Sequence, residues 1–128
     1  MPELATGSAV RSRSVGDLAV IYAGDYLNKL SGERIERECR RRLDEGCRAL
    51  VINFRETELV NSIGVSILLG VIEAAEERGT PVAFSYVSRH TVKLFELLGL
   101  TRLVALAETD EAARATLEEF TAPPPAGH

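Results

Sequence analysis

Asn61 and Ser62, within Val60-Asn61-Ser62-Ile63-Gly64, are the residues whose types and order best fit chemistry. They follow a mostly apolar run, Ala49 to Phe54, and a polar link, Arg55 to Leu59, and they open a segment of helical spacing. A helix start beyond the carboxyl end of a strand is where open α/β sheets place functional sites, because free N–H groups gather there. A hydroxyl at that point can accept a phosphoryl group, or it can serve only to cap the helix. Position alone leaves both open.

Other chemistry is poorly supplied. The histidines are His90 and the terminal His128, so no metal set can be assembled. The chain has no Gly-rich phosphate loop with a lysine and no nucleophile beside a base, and the Asn61–Ser62 turn has no paired carboxylates. Cys39 falls on an apolar stripe with Ile35 and Leu43, where a thiol is usually small core filler. A small enzyme or nucleotide-binding domain is compatible with an α/β sheet as such, but no residues point to one. The expectation is a protein that binds another protein, without cofactor or catalytic apparatus.

The elements that must position Ser62 come from a chain of 128 residues, 45% hydrophobic and 27% charged, which suits one globular core. A net charge of −4 argues against binding nucleic acid or an anionic membrane through bulk electrostatics. Arg40, Arg41 and Arg42 are interleaved with acidic residues and read as a solvated helix face. The longest nearly apolar stretch, Ile63 to Ile72, is too short to span a bilayer. With two cysteines and no secretory segment, a soluble cytoplasmic protein is expected.

Ser8 to Ser14, Gly16-Asp17 and Leu18 to Ala23 read as a β-hairpin. Ser31 is the expected N-cap of a helix carrying Ile35, Cys39 and Leu43, ending at Gly46. Ala49 to Phe54 is a buried central strand, and a helix from Asn61-Ser62 to about Gly79 carries Val65, Leu68, Leu69 and Ile72. A strand follows over Val82 to Tyr86, then a helix capped by Ser88 that stops at Gly99, a strand over Leu103 to Leu106, and a helix from Thr109 to about Phe120. Residues 1–7 are expected to be a flexible N-terminus, 8–120 the domain, and 121–128, with three consecutive prolines, a disordered tail. The order β-β-α-β-α-β-α-β-α predicts an α/β fold, a mixed sheet packed against helices with an antiparallel hairpin strand at one edge.

Three segments carry a family resemblance. Val60 to Gly70, Val-Asn-Ser-Ile-Gly-Val-Ser-Ile-Leu-Leu-Gly, resembles the Asp-Ser-Ser/Thr-Gly segment of the STAS family, which comprises anti-sigma factor antagonists and cytoplasmic domains of sulfate transporters. Gly24-Asp25 is similar to that family's early Gly-Glu, and Val92 to Leu100 to its helix ending in Gly-Leu. Together they cover roughly residues 8 to 120 in the same element order. The resemblance implies a STAS-like fold and a partner that is both serine kinase and anti-sigma factor, with Ser62 as phosphoacceptor. It implies docking through Asp25, Asn61, Ser62, Ile63, Gly64 and Val65, release of a sigma factor, and a monomer or weak dimer. The chain departs from the pattern at Asn61, where the family has aspartate, at Leu27, where a second acidic residue would stand, and at Ile63, which replaces a hydroxyl. An alternative is an unphosphorylated STAS subunit of a larger signalling or lipid-transport assembly.

Overall fold

The computed structural model describes residues 10–121. Five strands form the main sheet: β1 (Ser12–Val15), β2 (Leu18–Tyr22), β4 (Ala49–Asn53), β6 (Val82–Ser85) and β7 (Ala105–Ala107), side by side in that order. β1 is antiparallel to β2, and every other neighbour is parallel. A second, two-stranded sheet pairs β3 (Tyr26–Leu27) with β5 (Leu59–Val60). The helices are α1 (Lys29–Asp44), α2 (Ser62–Glu77), α3 (Arg89–Leu97) and α4 (Asp110–Thr121), with a 3-10 turn at Leu100–Arg102.

Period-two alternation in the central strands sends successive side chains to opposite faces, so each strand must be apolar on both sides to be buried on both. Ile21, Leu50, Ile52 and Phe84 meet Ile35, Cys39 and Leu43 of α1, Val65, Leu68 and Ile72 of α2 and Phe95 of α3. Phe54, Phe84 and Phe95 pack edge to face there, with ring centroids 5.0 to 5.5 Å apart. Val20, Val51 and Ala83 point the other way, against Ala113 and Leu117 of α4. Three helices thus cover one face and a single helix the other.

The expected mixed sheet, its antiparallel edge strand and the order of its main elements are all found. Cys39 is core filler, fully buried, and burial pushes its thiol well above the ordinary range. Several local readings are corrected. Asn28, not Ser31, caps α1: the Asn28 side chain accepts from the Ser31 N–H at 2.9 Å while the Ser31 hydroxyl accepts from the Asn28 N–H at 2.9 Å. Ser31 is the far half of a capping box. β3 lies between the expected hairpin and Ser31, where no strand is expected, and β5 begins at the end of the polar link after Phe54. The strand expected over Leu103 to Leu106 is shifted, because Leu103 and Val104 still donate to the Leu100 carbonyl and hold the chain in a turn until Ala105. α4 reaches Thr121, one residue into the expected tail. Residues 1–7, the first part of the expected hairpin strand and 122–128 lie outside the described residues.

Candidate functional site

The small sheet is what presents Ser62. Gly24, with φ of +86°, turns the chain out of β2 in a conformation that side-chain-bearing residues rarely adopt. Its carbonyl accepts from the Thr57 hydroxyl at 2.6 Å, the Asp25 carbonyl accepts from the Glu58 N–H at 2.8 Å, and the Leu27 carbonyl accepts from the Asn61 N–H at 2.9 Å. Tyr26 lies opposite Leu59, and Leu27 opposite Val60. These bonds bind two loops into one ribbon whose strands feed directly into the N-termini of α1 and α2.

Asn61 holds extended backbone, φ −110° and ψ 163°, and its Oδ1 accepts from the Gly64 N–H at 2.9 Å. It is therefore the N-cap, and Ser62 is the first residue of the helix proper. The capping explanation for the Ser62 hydroxyl is thus removed. That hydroxyl is exposed and has no partner among the described residues; only the Ser62 carbonyl is used, accepting from Ser66 Oγ at 3.1 Å. Gly64 is required by close approach: a Cβ there would lie 2.8 Å from Leu27 Cγ and 2.9 Å from the Leu27 carbonyl carbon and oxygen. The helix start is pressed onto β3.

The residues named from the sequence divide between surface and interior. Ser62 and Ile63 are exposed and Asn61 is half-buried at the helix start, and Asp25 is exposed just before β3. Gly64 and Val65 are buried, Val65 to 1% exposure, because the helix face that carries them packs on Leu27 and the core. Gly64 and Val65 lie behind the turn, and Asp25, Ser62 and Ile63 are the members of the set that face solvent. Leu27 is also fully buried, so the position where the family pattern has a second acidic residue is a core position in this chain.

Sequence reasoning named Ile63 but missed the other exposed apolar side chains on the ribbon and at the helix starts. Tyr26, Leu30, Leu59 and Ile63 are 40 to 61% exposed, half of the large apolar side chains exposed among the described residues. Leu59 in an otherwise polar link was the available signal. It also missed a polar cluster at the carboxyl ends of the central strands. Asn53 Nδ2 donates to both carboxylate oxygens of Asp110 at 3.0 Å, the Ser85 hydroxyl donates to the same carboxylate at 2.6 Å, and Arg13 lies 3.8 Å away. Asn53 Oδ1 accepts from the Arg55 N–H at 2.8 Å. Every group in the cluster is engaged, and it fastens the first turn of α4 to β4 and β6. No group of His, Cys, Asp and Glu among the described residues is arranged to hold a metal ion, and no described helix is long and apolar enough to cross a membrane.

Comparison with known proteins fits this architecture. Residues 10–113 match the family model of the STAS domain, and the chain belongs to that family. It is 23% identical over 92 residues to BtrV of Bordetella bronchiseptica, a protein assigned as an anti-sigma factor antagonist, covering 72% of this chain and 79% of that one. Among solved structures, it is similar to an assigned anti-sigma factor antagonist of Thermotoga maritima, with a TM-score of 0.77 and 14% identity, over 85% of this chain and 94% of that one. It is also similar to the anti-sigma factor antagonist SpoIIAA in its unphosphorylated form, with a TM-score of 0.70 and 22% identity, over 84% of this chain and 96% of that one. SpoIIAA has been solved in a phosphorylated form as well.

Proposed function

We propose that this chain is an anti-sigma factor antagonist that docks onto a kinase-like anti-sigma factor in the cytoplasm and thereby frees a sigma factor. The docking surface is the ribbon and helix start at Asp25, Tyr26, Leu59, Ser62 and Ile63. One observation carries this reading: an unpartnered, exposed serine hydroxyl stands at a capped helix start fed by a ribbon that carries the exposed apolar side chains Tyr26 and Leu59, with exposed Ile63 next to it. Apolar groups of that density favour a protein partner, and the hydroxyl offers a means of ending the contact. The chain acts by binding, and the chemistry belongs to the partner.

Phosphorylation of Ser62 is the switch in this reading. The Ser62 oxygen bonds to the γ-phosphorus of ATP, the bond to the β-phosphate oxygen breaks, ADP leaves, and the hydroxyl proton passes to a base on the kinase. The product carries roughly −1.5 to −2 charge on a surface with exposed apolar side chains, where a partner surface would have to desolvate it. The helix N-terminus tolerates that charge locally, so the fold survives while docking fails. BtrV and SpoIIAA support the reading as relatives of the same class.

A second reading, an unphosphorylated subunit of a larger signalling or lipid-transport assembly, draws on one feature of this site. No carboxylate adjoins the hydroxyl in sequence, because Asn61 is the cap and position 27 is in the core. Incubation with the cognate kinase and ATP, followed by site mapping, separates the two. Phosphate on Ser62 is the expected result. Phosphate on Ser66 or Ser88 instead, or none at all, would remove the switch and leave the subunit role.

A further inference from the structure

Beside β1, at the carboxyl ends of β2, β4 and β6 and against the first turn of α4, lies a cavity of about 350 Å³. The carboxyl ends of parallel strands are where α/β sheets hold small ligands, and a space of this size admits one. Asn53 and Asp110, whose polar groups are all engaged, belong to its lining. Two half-buried tyrosines line it as well, each with a guanidinium over its ring. Arg11 Cζ lies 4.5 Å from the Tyr22 ring centroid, and Arg55 Cζ lies 5.3 Å from that of Tyr86. Tyr86 has φ of +56°, a backbone conformation that a bulky side chain rarely takes, and residues held this way gather at ligand clamps.

Charge in the cavity is balanced, with Arg11, Arg13 and Arg55 against Glu56, Asp110 and Glu111. Most of it is already spoken for. Asp110 is held by Asn53, Ser85 and Arg13, and Arg13 Nε donates to the Tyr22 hydroxyl at 2.8 Å. Arg11 and Glu56 stand 3.8 Å apart with side chains 68% and 64% exposed, an ion pair that contributes little. Arg55 and Glu111 are left over. Both are exposed, and neither side chain has an ion pair or a hydrogen bond among the described residues. Glu111 acts on Arg13 only through space.

We propose that this cavity binds a zwitterionic small molecule of the α-amino acid class, its carboxylate on Arg55, its ammonium on Glu111 and its side chain toward the tyrosine rings. A plain anion or a plain cation would meet as many like charges as unlike ones in this lining. A molecule that carries both answers the free guanidinium and the free carboxylate together, through charge-assisted hydrogen bonds at two points. Tyr22 and Tyr86 then favour an apolar or aromatic side chain. Ser62 and Ile63 take no part in the cavity, so this binding stands apart from the docking surface.

Nuclear magnetic resonance titration of the isotope-labelled whole chain with each of the common free L-amino acids, to about 10 mM, tests this. At least one is expected to bind with a dissociation constant of about 1 mM or below, shifting the amide signals of Gly24, Tyr86 and Glu111. Its amide, which lacks the carboxylate, and its N-acetyl form, which lacks the ammonium, should each bind about tenfold more weakly or worse. Arg55→Gln and Glu111→Gln should each weaken the parent amino acid by a similar factor, while Ser62→Ala leaves it unchanged. Arg55→Gln should cost the amide little further, and Glu111→Gln should cost the N-acetyl form little further, since the partner group is already gone in each case. Both side chains are exposed and unbonded, so the variants should fold, and circular dichroism checks that they do. Shifts with none of the amino acids, an N-acetyl form that binds as tightly as its parent, or variants that bind like wild type would overturn the proposal.

Discussion

Ser62 and Asp110 occupy the same local position, the first residue of a helix that follows a short strand, and each is preceded by a residue that caps the helix. Asn61 accepts from the Gly64 N–H, and the Thr109 hydroxyl accepts from the Ala112 N–H at 3.0 Å. Beyond that point their surroundings diverge. The Asp110 carboxylate, 13% exposed, takes hydrogen bonds from Asn53 and Ser85 and lies near Arg13. The Ser62 hydroxyl faces water without a partner. The difference comes from which sheet supplies the floor. α4 begins over the main sheet, where buried Asn53 and Ser85 need an acceptor. α2 begins on the narrow β3–β5 ribbon, none of whose side chains bonds the Ser62 hydroxyl. Identical capping rules yield a fastening in one place and an open group in the other, so only the second is free to meet another protein.

The largest effect should come from undoing the fastening. Asp110→Ala removes the acceptor of two buried donors, and an unsatisfied buried donor costs about 1–3 kcal/mol. A loss of about 3 kcal/mol in urea or guanidinium unfolding is expected, while the folded fraction keeps its affinity for the proposed partner. A loss below about 1 kcal/mol would mean that water replaces the carboxylate without penalty, and the contrast between the two helix starts would weaken.

Next comes Ser62→Asp, whose effect should fall on docking and not on folding. The expected cost is about 2 kcal/mol or more of binding free energy, roughly 30-fold in affinity by calorimetry. Unfolding should shift by less than about 0.5 kcal/mol, since an acid is tolerated at a helix start. Ser62→Ala should leave both quantities near wild type, because the hydroxyl makes no bond and is not the cap. Equal affinities for all three proteins would put the interface elsewhere on the domain.

How far the sequence could be read follows from what each feature depends on. The central strands were legible because a short β-branched run bounded by turns has few alternatives, and the α2 start because Asn61-Ser62 precedes a helical apolar pattern. β3 and β5 were not, since two-residue strands have no period and exist only by pairing with each other. The Asn53–Ser85–Asp110 cluster was hidden for the same reason: three unremarkable polar residues from β4, β6 and α4 meet only in three dimensions. Ser31 misled because serine is an equally good cap, and only the geometry reveals it as the second half of Asn28's capping box. At the site, position and residue type exposed Ser62 and Ile63, but they could not separate the surface residues from Gly64 and Val65, whose burial depends on how tightly α2 approaches Leu27.

A smaller loss is expected for Asn61→Ala, which removes the cap and leaves the Gly64 N–H without its protein acceptor. About 1 kcal/mol of stability should go, the common value for an N-cap. Docking should weaken modestly as the first turn frays and Ser62 and Ile63 lose their fixed positions. Unchanged hydrogen exchange at Gly64 would contradict a capping role for Asn61.

The smallest change in stability, and the most informative about the switch, belongs to Asn61→Asp. Aspartate caps as well as asparagine, and its charge is favoured at a helix N-terminus by about 0.3–1 kcal/mol. The amide Nδ2 that would be lost makes no hydrogen bond among the described residues. Unfolding should therefore stay at the wild-type value or rise by a few tenths of a kcal/mol. The substitution also places beside Ser62 the carboxylate that the family resemblance leads one to expect, without moving the backbone that holds the hydroxyl. If that carboxylate orients or activates the hydroxyl, initial rates of phosphate incorporation by the cognate kinase should rise over wild type. An unchanged rate would mean that exposure and docking geometry alone make Ser62 competent. A fall in stability beyond about 1 kcal/mol would show instead that the asparagine amide is needed, and the cap at this helix start would have to be redrawn.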